Sequence, residues 1–352
     1  MKIAVLCGGL SPERNVSISS GTKIAGALKE NGHQVVLLDM FFGLEDYTGD
    51  IARVFDDPPA LGGTRIDESA PDLEAVRAQR KLRSPSLFGA HVLEVCAMAD
   101  IVFLALHGRT GEDGRVQATL DLLGVPYTGS GYLGSGMAMD KALTKQVMER
   151  SGVRTAPWHN IYYTEADIPR LVEELEVPCA VKIVNGGSSI GVELPDTKEE
   201  LEQALRHLLA YGNHVVVEKK IHGREIQIAV LGDKYLPAVE IIPQGEFFDY
   251  VSKYQAGGAK EICPAPITDD EWKQVGEMAL ALHRALGLSV YSRSDFILDD
   301  EGKAWCLEIN TLPGMTPTSL VPQEAAQVGL SYADLCEKII HDSLEARKAA
   351  KL

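Results

Sequence analysis

The chain has 352 residues, 45% hydrophobic and 24% charged, which is typical of a globular protein with two or three domains. Its formal net charge of −16 argues against the basic face of a nucleic-acid-binding protein, although a few local lysines can still bind an anionic small ligand. The six cysteines are dispersed without a C-x-x-C pair, and no apolar run suits a signal peptide or a membrane helix, so the sequence predicts a cytoplasmic protein without membrane contact.

The N-terminal residues predict a strand, a glycine turn, a helix and a second strand. This βαβ order indicates an open parallel sheet. The first turn, GGLSPERNVS at 8–17, places Glu13 near a helix N-terminus, where it can bind a ligand or only complement the helix dipole. The polar segment from about 43 to 90 has weak periodicity and is interpreted as an insertion.

A buried strand, ADIVFLAL, is followed by the loop HGRTGEDG and the helix RVQATLDLLG. The helix has Val116, Leu120 and Leu123 on one predicted face. His107 stands at the strand's carboxyl end among three glycines, which indicates a ligand crevice, although a lone histidine is more often structural.

The segment MAMDKALTKQVMERSG predicts one helix closed by Gly152, and a domain boundary is expected near 136. Capping boxes predict the starts of four later helices. The pairs are Thr164 with Asp167, Thr197 with Glu200, Thr268 with Glu271, and Ser331 with Asp334.

The glycine-rich stretch VNGGSSIGV, residues 184–192, lies between two strand-like runs. It lacks the endings of a Walker A loop and of a dinucleotide fingerprint, and it does not lead directly into a helix. From the glycines alone, a hairpin turn is favoured over a phosphate-binding loop. Lys182 before it and Lys219 after the apolar run HVVVE are cations that could face an anion.

The most informative segment is YSRSDFILDDEGKAWCLEINTLPGMT, residues 291–316, which predicts a hairpin. Strict alternation groups Arg293 with Asp295 on one strand and Glu308 with Asn310 and Cys306 on the other, with Trp305, Leu307 and Ile309 facing the core. Asp295, Glu308 and Asn310 would make a hard-cation site suited to Mg2+, or would mark a polar strand end at the surface. The turn TLPGMT can present backbone N–H groups to an oxyanion.

Together these segments resemble the D-alanine–D-alanine ligase family of the ATP-grasp superfamily. HGRTGEDGRVQA matches one family signature, and SRSDF with LEINTLPGMTPTSLVP matches a second. GGLSPERNVS, MDKALTK, VVVEKKIHGREI and FDYVSKY with CPAP follow in the family's order. The resemblance covers almost the whole chain outside 43–90.

The resemblance implies an α/β fold that becomes α+β in its C-terminal part. It implies an N-terminal Rossmann-like domain at 1–136, a central domain at 137–219 and a C-terminal domain at 220–352. ATP would bind between the antiparallel sheets of the last two domains. The reaction implied is ATP-dependent joining of two D-alanine molecules through an acyl phosphate and a tetrahedral intermediate, for peptidoglycan precursor synthesis, by a homodimer.

The resemblance also assigns residues to ATP and metal. Lys141 and Lys182 would hold phosphates, and the loop with Gly187, Ser188 and Ser189 would cover them. The remaining nucleotide contacts would be Glu218, Lys219, Ile221, Glu225 and Lys253. The ligands of Mg2+ or Mn2+, two ions in all, would be Asp295, Glu308 and Asn310.

The amino acid substrates are assigned in the same way. Glu13 would bind the ammonium group of the first D-alanine, with His107 near its carboxylate. Arg293 and the Gly314 amide would stabilise the tetrahedral intermediate. Ser319 and Leu320 would lie at the second D-alanine. Ser188 and Tyr254 would link two loops that close over the site.

The chain departs from the family pattern in a few positions. Ile183 follows Lys182 where proline is usual, and Val290 replaces a glycine or alanine. Ser294 and Cys306 replace aliphatic residues, and Asn15 replaces an acid. These differences leave the exact substrates open. The alternatives to two D-alanine molecules are D-serine or a D-hydroxy acid as the acceptor, or another pair of D-amino acids.

Two other function classes are compatible with parts of the sequence. A dinucleotide-dependent oxidoreductase would explain the βαβ start and Asp39 at the end of the second strand, but CGGLSPE lacks the third glycine of that fingerprint. A nucleotide-binding module without catalysis would use the same loop and lysines.

Overall fold

A computed structural model describes residues 1–59, 71–187, 191–243 and 258–349. Three sheets organise these residues, one parallel and two antiparallel. The predicted α/β class with an α+β C-terminal part is confirmed. Within the described ranges, no helix combines the length and apolarity needed to cross a membrane.

The N-terminal sheet is parallel, with strand order β2-β1-β3. Its strands are almost completely buried, as expected of a parallel sheet covered on both faces. The elements in this part of the chain are β1 (Lys2–Cys7), α1 (Arg14–Glu30), β2 (Gln34–Asp39), α2 (Leu73–Gln79), α3 (Val92–Met98), β3 (Ile101–Leu104) and α4 (Arg115–Leu123).

The predicted insertion begins and ends at one place in space. Gly43 and Ala90 form a parallel bridge, and Leu44 N–H donates to Ala90 O at 2.9 Å. Between them lie a 3-10 turn at Ile51–Arg53 and helix α2, so the described part has more regular structure than its sequence indicates.

The predicted helix through MAMDKALTKQVMERSG is wrong as a single element. It is divided at Asp140 into α5 (Tyr132–Met139) and α6 (Lys141–Arg150). Asp140 has an extended backbone, and its side chain accepts a hydrogen bond from Leu143 N–H at 2.9 Å, so it caps α6. Lys141 is therefore the first residue of a helix. Gly152 follows the end of α6 with a φ of 73°, as predicted.

The central sheet is antiparallel, with strand order β4-β7-β5-β6. Leu201, Leu205 and Leu208 pack one helix of this region against it, as their spacing predicts. Its elements are β4 (Trp158–Tyr162), α7 (Ile168–Glu174), β5 (Cys179–Ile183), β6 (Val192–Glu193), α8 (Lys198–Leu208) and β7 (His214–Lys219).

The C-terminal sheet has the order β11-β10-β8-β12-β13, with β9 paired to β8. The capping pairs at Thr268 and Ser331 form as predicted. The elements are β8 (Arg224–Leu231), β9 (Lys234–Tyr235), β10 (Val239–Pro243), β11 (Ala259–Ile262), α9 (Asp269–Ala285), β12 (Tyr291–Leu298), β13 (Ala304–Asn310), α10 (Leu320–Gln327) and α11 (Tyr332–Ala349).

A register shift in the β12–β13 hairpin changes the predicted faces of β13. Asp295 pairs with Glu308, but Phe296 pairs with Cys306, which leaves Leu307 as an extra residue. Ala304 and Cys306 therefore pack in the core with Ile309, while Leu307 lines a cavity with Glu308. The predicted core position of Leu307 and the grouping of Cys306 with Glu308 are wrong, because a bulge reverses the alternation.

One hydrophobic core joins the two ends of the chain. Leu335, Cys336, Ile339 and Ile340 of α11 are fully buried and belong to the same cluster as β1, β2 and β3. Leu123 is 45% exposed, so it does not share the buried face of Val116 and Leu120 that the sequence predicts. The domain boundaries at 136 and 219 stay a prediction.

Candidate active site

A cavity of about 450 Å³ lies between the central and C-terminal antiparallel sheets. Strands β5 and β7 supply one wall, and β8, β10, β12 and β13 supply the other. Nine of the predicted nucleotide and metal residues line it: Lys141, Lys182, Gly187, Glu218, Lys219, Ile221, Glu225, Asp295 and Glu308. The strand-to-strand position of the glycine loop is also as predicted, because it connects β5 to β6.

Glu218 is buried between two lysines at one end of the cavity. Its carboxylate forms ion pairs with Lys182 and with Lys145. Burial alone would raise the pKa of Glu218, but the two ammonium groups outweigh it and lower the pKa to about 2. The pKa of Lys182 is raised, since its pairing with Glu218 outweighs its own desolvation. At this end of the cavity, one carboxylate therefore lies between two lysine side chains.

Lys145 has no role in the sequence analysis. It is 1% exposed, and its Nζ also donates to Thr155 Oγ1 at 2.6 Å. Lys145 follows Lys141 by four residues, so both lysines lie on one face of α6. This spacing is the feature of the sequence from which Lys145 could have been predicted as a site residue.

Lys141 connects the glycine loop with the acidic wall. Its Nζ donates to Gly186 O at 2.5 Å and lies 3.7 Å from Glu308 Oε2. Val184 O also accepts from the Lys141 backbone N–H at 3.1 Å. The start of α6 is thereby fixed to the loop that the sequence suggests for phosphate.

Asp295, Glu308 and Asn310 are neighbours, as the predicted hairpin requires. Asp295 lies opposite Glu308, and Asn310 Nδ2 is 3.5 Å from Asp295 Oδ2. Both oxygens of Asp295 also accept from Arg293, at 2.8 and 3.0 Å. No group of three or more His, Cys, Asp or Glu in the described ranges could hold a metal ion, so a cation here would need the Asn310 amide oxygen as well.

Loops from the N-terminal sheet form a second part of the site around Glu13. Glu13 is only 9% exposed, and a Cβ added to Gly108 would lie 2.8 Å from its Oε2. A Cβ added to Gly187 would lie 3.5 Å from the same oxygen. The glycine loop of the central sheet thus approaches Glu13, and small residues on both sides leave room for its carboxylate.

His107 is buried beside these loops. Its Nδ1 contacts Leu312 O at 2.9 Å, and its Nε2 is 3.4 Å from Ser20 Oγ. Burial lowers the pKa of His107, which favours the neutral ring. The imidazole holds the Leu312 loop, and this contact gives it a structural role in addition to any contact with a ligand.

Glu112 connects the same two loops, and the sequence analysis gives it no role. It accepts hydrogen bonds from Gly108 N–H at 2.9 Å and from Leu312 N–H at 3.1 Å. Burial, with the nearby Glu13 carboxylate, raises the pKa of Glu112 to about 8. The only sequence signal for it is its place in the acidic, glycine-rich loop HGRTGEDG.

Gly314, Ser319 and Leu320 lie at the entrance to α10. A Cβ on Gly314 would be 3.0 Å from Ser319 Oγ, and that hydroxyl accepts from Thr316 N–H at 3.0 Å. Leu320 packs against Val239 and Ile241 of β10. Arg293 lies on β12, which is separated from β10 by β8 in the same sheet.

Four of the predicted site residues, Ser188, Ser189, Lys253 and Tyr254, lie outside the described residues.

The chain's departures from the family pattern have distinct local settings. Ile183 N–H donates to Gly191 O at 2.9 Å and closes the base of the glycine loop, a bond that proline could not form. Val290 has a φ of 70°, a conformation that favours glycine and strains a β-branched residue. Ser294 and Cys306 are buried on the core side of the sheet, and Ser294 Oγ has no hydrogen-bond partner among the described residues.

Asp39 does not have the setting of a dinucleotide site. Arg14 forms an ion pair with it, and Phe41 N–H and Phe42 N–H donate to it at 2.8 and 3.1 Å. A carboxylate already bonded in this way is not available to a ribose, which removes the main support for an oxidoreductase.

Comparisons with known proteins indicate the same family over almost the whole chain. The family described as D-ala D-ala ligase N-terminus matches residues 2–130, and D-ala D-ala ligase C-terminus matches residues 147–341. The D-alanine–D-alanine ligase of Pediococcus pentosaceus is 41% identical, over 97% of this chain and 97% of that protein. That of Lacticaseibacillus casei is 39% identical, over 98% and 96%.

A solved structure of a D-alanine–D-alanine ligase has a similar fold. The D-alanine–D-alanine ligase of Bacillus anthracis complexed with ATP is similar over 100% of both chains, with a TM-score of 0.72 and 30% identity. The three sheets and the cavity between two of them are therefore those of an ATP-grasp protein. The chain belongs to the D-alanine–D-alanine ligase family.

Proposed function

We propose that this protein joins two molecules of D-alanine into D-alanyl-D-alanine, with conversion of ATP to ADP and phosphate, for peptidoglycan precursor synthesis. The observation that carries the proposal is the cavity between the antiparallel sheets, in which Lys141 and Lys182 face Asp295 and Glu308. Family membership and the ATP complex of the Bacillus anthracis relative agree with it. The reaction would take place in the cytoplasm.

ATP is proposed to lie in this cavity. Lys141 and Lys182 would neutralise its phosphates, and the loop of Gly187, Ser188 and Ser189 would cover them. Glu218, Lys219 and Ile221 would line the adenine site, with Lys253 near the nucleotide and Glu225 at the ribose. The Lys145–Glu218–Lys182 cluster would keep the phosphate lysine in place before ATP arrives.

Asp295, Glu308 and Asn310 would hold Mg2+ or Mn2+, two ions in all. Two carboxylates and an amide oxygen from adjoining strands are ligands that suit a hard cation, and their juxtaposition supports this assignment. The bound ions would neutralise charge on the phosphates. Arg293 would then exchange its bond with Asp295 for contacts with the substrate.

The first D-alanine would bind by its ammonium group to Glu13, with its carboxylate near His107. One carboxylate oxygen attacks the γ-phosphorus of ATP, so that an acyl phosphate forms and ADP leaves. Because lysines position and neutralise the phosphates, no protein nucleophile is needed. Ser188 and Tyr254 would link the loops that keep water from the acyl phosphate.

The second D-alanine would bind near Ser319 and Leu320. Its amine attacks the acyl carbon, and Arg293 with the Gly314 N–H stabilises the oxyanion. Loss of a proton from nitrogen and of phosphate from carbon then completes the amide. Leu320 packs against the apolar residues Val239 and Ile241, and this setting favours a small apolar side chain on the acceptor.

The test measures phosphate release from ATP with D-alanine alone and with D-serine or D-lactate as the second substrate. We expect D-alanine alone to support turnover. Asp295→Ala and Glu308→Ala should each lower the rate by about 100-fold or more, because charge on the phosphates is no longer neutralised. Asp300→Ala, in the exposed turn of the same hairpin, is the matched control.

No D-alanine-dependent release would contradict the proposed function. If turnover occurs only with D-serine or D-lactate, then that compound, and not D-alanine, is the acceptor. Binding of ATP without any turnover would favour a binding module.

We also propose that the protein is a homodimer. Leu122 is 91% exposed and Leu133 is 62% exposed, on the neighbouring helices α4 and α5, which is unusual for residues in contact with water only. Sedimentation should give about twice the chain mass of 38.2 kDa, and Leu122→Ser with Leu133→Ser should shift it toward one chain. A native protein that sediments as one chain would contradict the proposal.

A further inference from the structure

Glu324 is a buried acid that the proposed mechanism does not use. It lies on α10, and its relative exposure is 0%. It occupies a position where the helix otherwise buries Leu320, Val321 and Ala325. A carboxyl group at such a position requires a specific bond, since desolvation of an unpartnered acid is costly.

The bond is to the backbone of strand β8. Glu324 Oε2 accepts from Ala229 N–H at 2.6 Å. On this side of β8, pairing with β10 ends at Gln227 and pairing with β9 begins at Val230, so Ala229 lies between the two ladders. The carboxyl group thus replaces a sheet hydrogen bond that neither strand supplies.

Arg293 is a charged neighbour of Glu324. Ala229 is the β8 residue opposite Arg293, but the guanidinium already has two bonds to Asp295. Burial raises the pKa of Glu324 well above its usual range, and Arg293 only partly opposes this effect. The charged or titratable groups around it are Arg293, Asp295 and Cys263. Burial therefore favours the neutral form of Glu324, and its Oε1 has no hydrogen-bond partner among the described residues.

The same helix begins with residues of the proposed second-substrate site. Leu320 is one turn before Glu324 on the same face, and Ser319 is the N-cap residue. Leu320 contacts β10, whereas Glu324 contacts β8, so the first turn of α10 is attached to both strands. A shift of Glu324 would move Ser319 and Leu320 relative to Arg293.

We propose that Glu324 is a positioning residue for the second D-alanine: its carboxyl group attaches the first turn of α10 to β8 and so sets the position of Ser319 and Leu320 beside Arg293. This inference rests on the proposed function. Glu324 does not itself touch substrate. It acts through the hydrogen bond to Ala229, and it needs an acceptor oxygen at that place but no negative charge.

The experiment compares Glu324→Leu and Glu324→Gln in the full-length protein. Initial rates over a wide range of D-alanine concentration separate the KM of the first D-alanine from that of the second. Glu324→Leu should raise the second KM about tenfold, the effect of a lost hydrogen bond with a buried donor left unpaired. The first KM and the KM for ATP should change less than about twofold. Glu324→Gln keeps an acceptor oxygen and should behave as the native protein.

Gln327→Leu, at an exposed position of the same helix, is the control and should leave both KM values unchanged. If Glu324→Leu does not fold, Glu324→Asp replaces it, because the shorter side chain cannot reach Ala229 and should also raise only the second KM. An unchanged second KM, or an equal rise in both, would overturn the inference. Glu324→Gln as impaired as Glu324→Leu would overturn it too, since charge would then be required.

The native protein is assayed first. If it releases no phosphate with D-alanine, the proposed function fails and the inference fails with it. If it is active and only the expected change in the second KM is missing, the inference alone fails.

Discussion

At the scale of single residues, buried charge defines the site. Glu218 and Lys145 are almost completely buried, at 3% and 1% exposure, and Lys182 shares the same carboxylate. Removing one member of a buried ion cluster leaves another charge without compensation, which costs more than the cluster contributes as a whole.

Glu218→Gln should therefore destabilise the protein by about 3 kcal/mol at neutral pH. The folded pKa of Glu218 is about 2, below the unfolded value of 4.5. Its contribution is thus present above about pH 4.5 and is lost as the pH falls toward 2. Urea unfolding of both proteins from pH 7 to 3 measures this. A difference between them that does not shrink at low pH would contradict the prediction.

Gly108 tests the space around Glu13. Its φ is 73°, and a Cβ would lie 2.8 Å from Glu13 Oε2. Gly108→Ala should displace that carboxylate and raise the KM of the first D-alanine about tenfold. Gly124→Ala is matched, with a φ of 68° and no atom within 4 Å of the added Cβ. A KM of the first D-alanine that is no higher in Gly108→Ala than in Gly124→Ala would contradict the predicted effect of the contact with Glu13.

Residue types in a motif were sufficient to predict Glu13, His107, Lys141, Lys182 and the three oxygen-bearing side chains as site candidates. Glu112, Lys145 and Glu324 were not predicted. In each of them the important fact is burial next to a group distant in the chain, such as Leu312, Glu218 or Ala229. Spacing along one segment contains no information on such contacts.

At the scale of elements, two local interruptions position the site. Asp140 ends one helix and caps the next, so Lys141 stands at a helix start. The extra residue Leu307 in β13 turns Glu308 toward the cavity while Cys306 stays in the core. The hairpin itself was predicted correctly. The bulge was not, because its register depends on the pairing with β12 and not on the composition of either strand.

Asp140→Ala should cost about 1 kcal/mol of stability, since it removes the cap of α6. It should also raise the KM for ATP, because Lys141 follows directly. Thr197→Ala removes the cap of α8, which is outside the cavity, and should lower stability by a similar amount without a change in that KM. Thermal unfolding and ATP titration check both. If the KM for ATP is unaltered in Asp140→Ala, the cap of α6 is not needed for phosphate binding and the prediction is wrong.

At the scale of the whole molecule, the C-terminal helix completes the N-terminal core. Helix α11 places Leu335 and Ile339 against the residues of β1 to β3, although more than 200 residues of sequence separate them. Arg347 continues this contact by stacking on Tyr127 at 3.8 Å and donating to Gly129 O at 2.8 Å. We therefore expect the stability of the first sheet to depend on the packing of α11.

Leu335→Ala should lower the free energy of unfolding by about 2–5 kcal/mol, as expected of a completely buried leucine. The loss should appear in the unfolding of the N-terminal sheet, followed by hydrogen exchange of the β1 amides. His341→Ala, at a position of α11 whose side chain is 68% exposed, should change stability by less than about 0.5 kcal/mol. Normal protection of the β1 amides in Leu335→Ala would contradict a shared core.

The sequence by itself determined the βαβ start, the strand-to-strand glycine loop, the capped helices and the family signatures. These features depend on residues within one turn or one hairpin, and local physical rules are sufficient for them. Only the tertiary structure decided which face of β13 meets the cavity, how Glu218 is balanced by two lysines, why an acid is buried at 324 and where the last helix packs. Those outcomes depend on register and burial, which arise when segments far apart in sequence exclude water from one another.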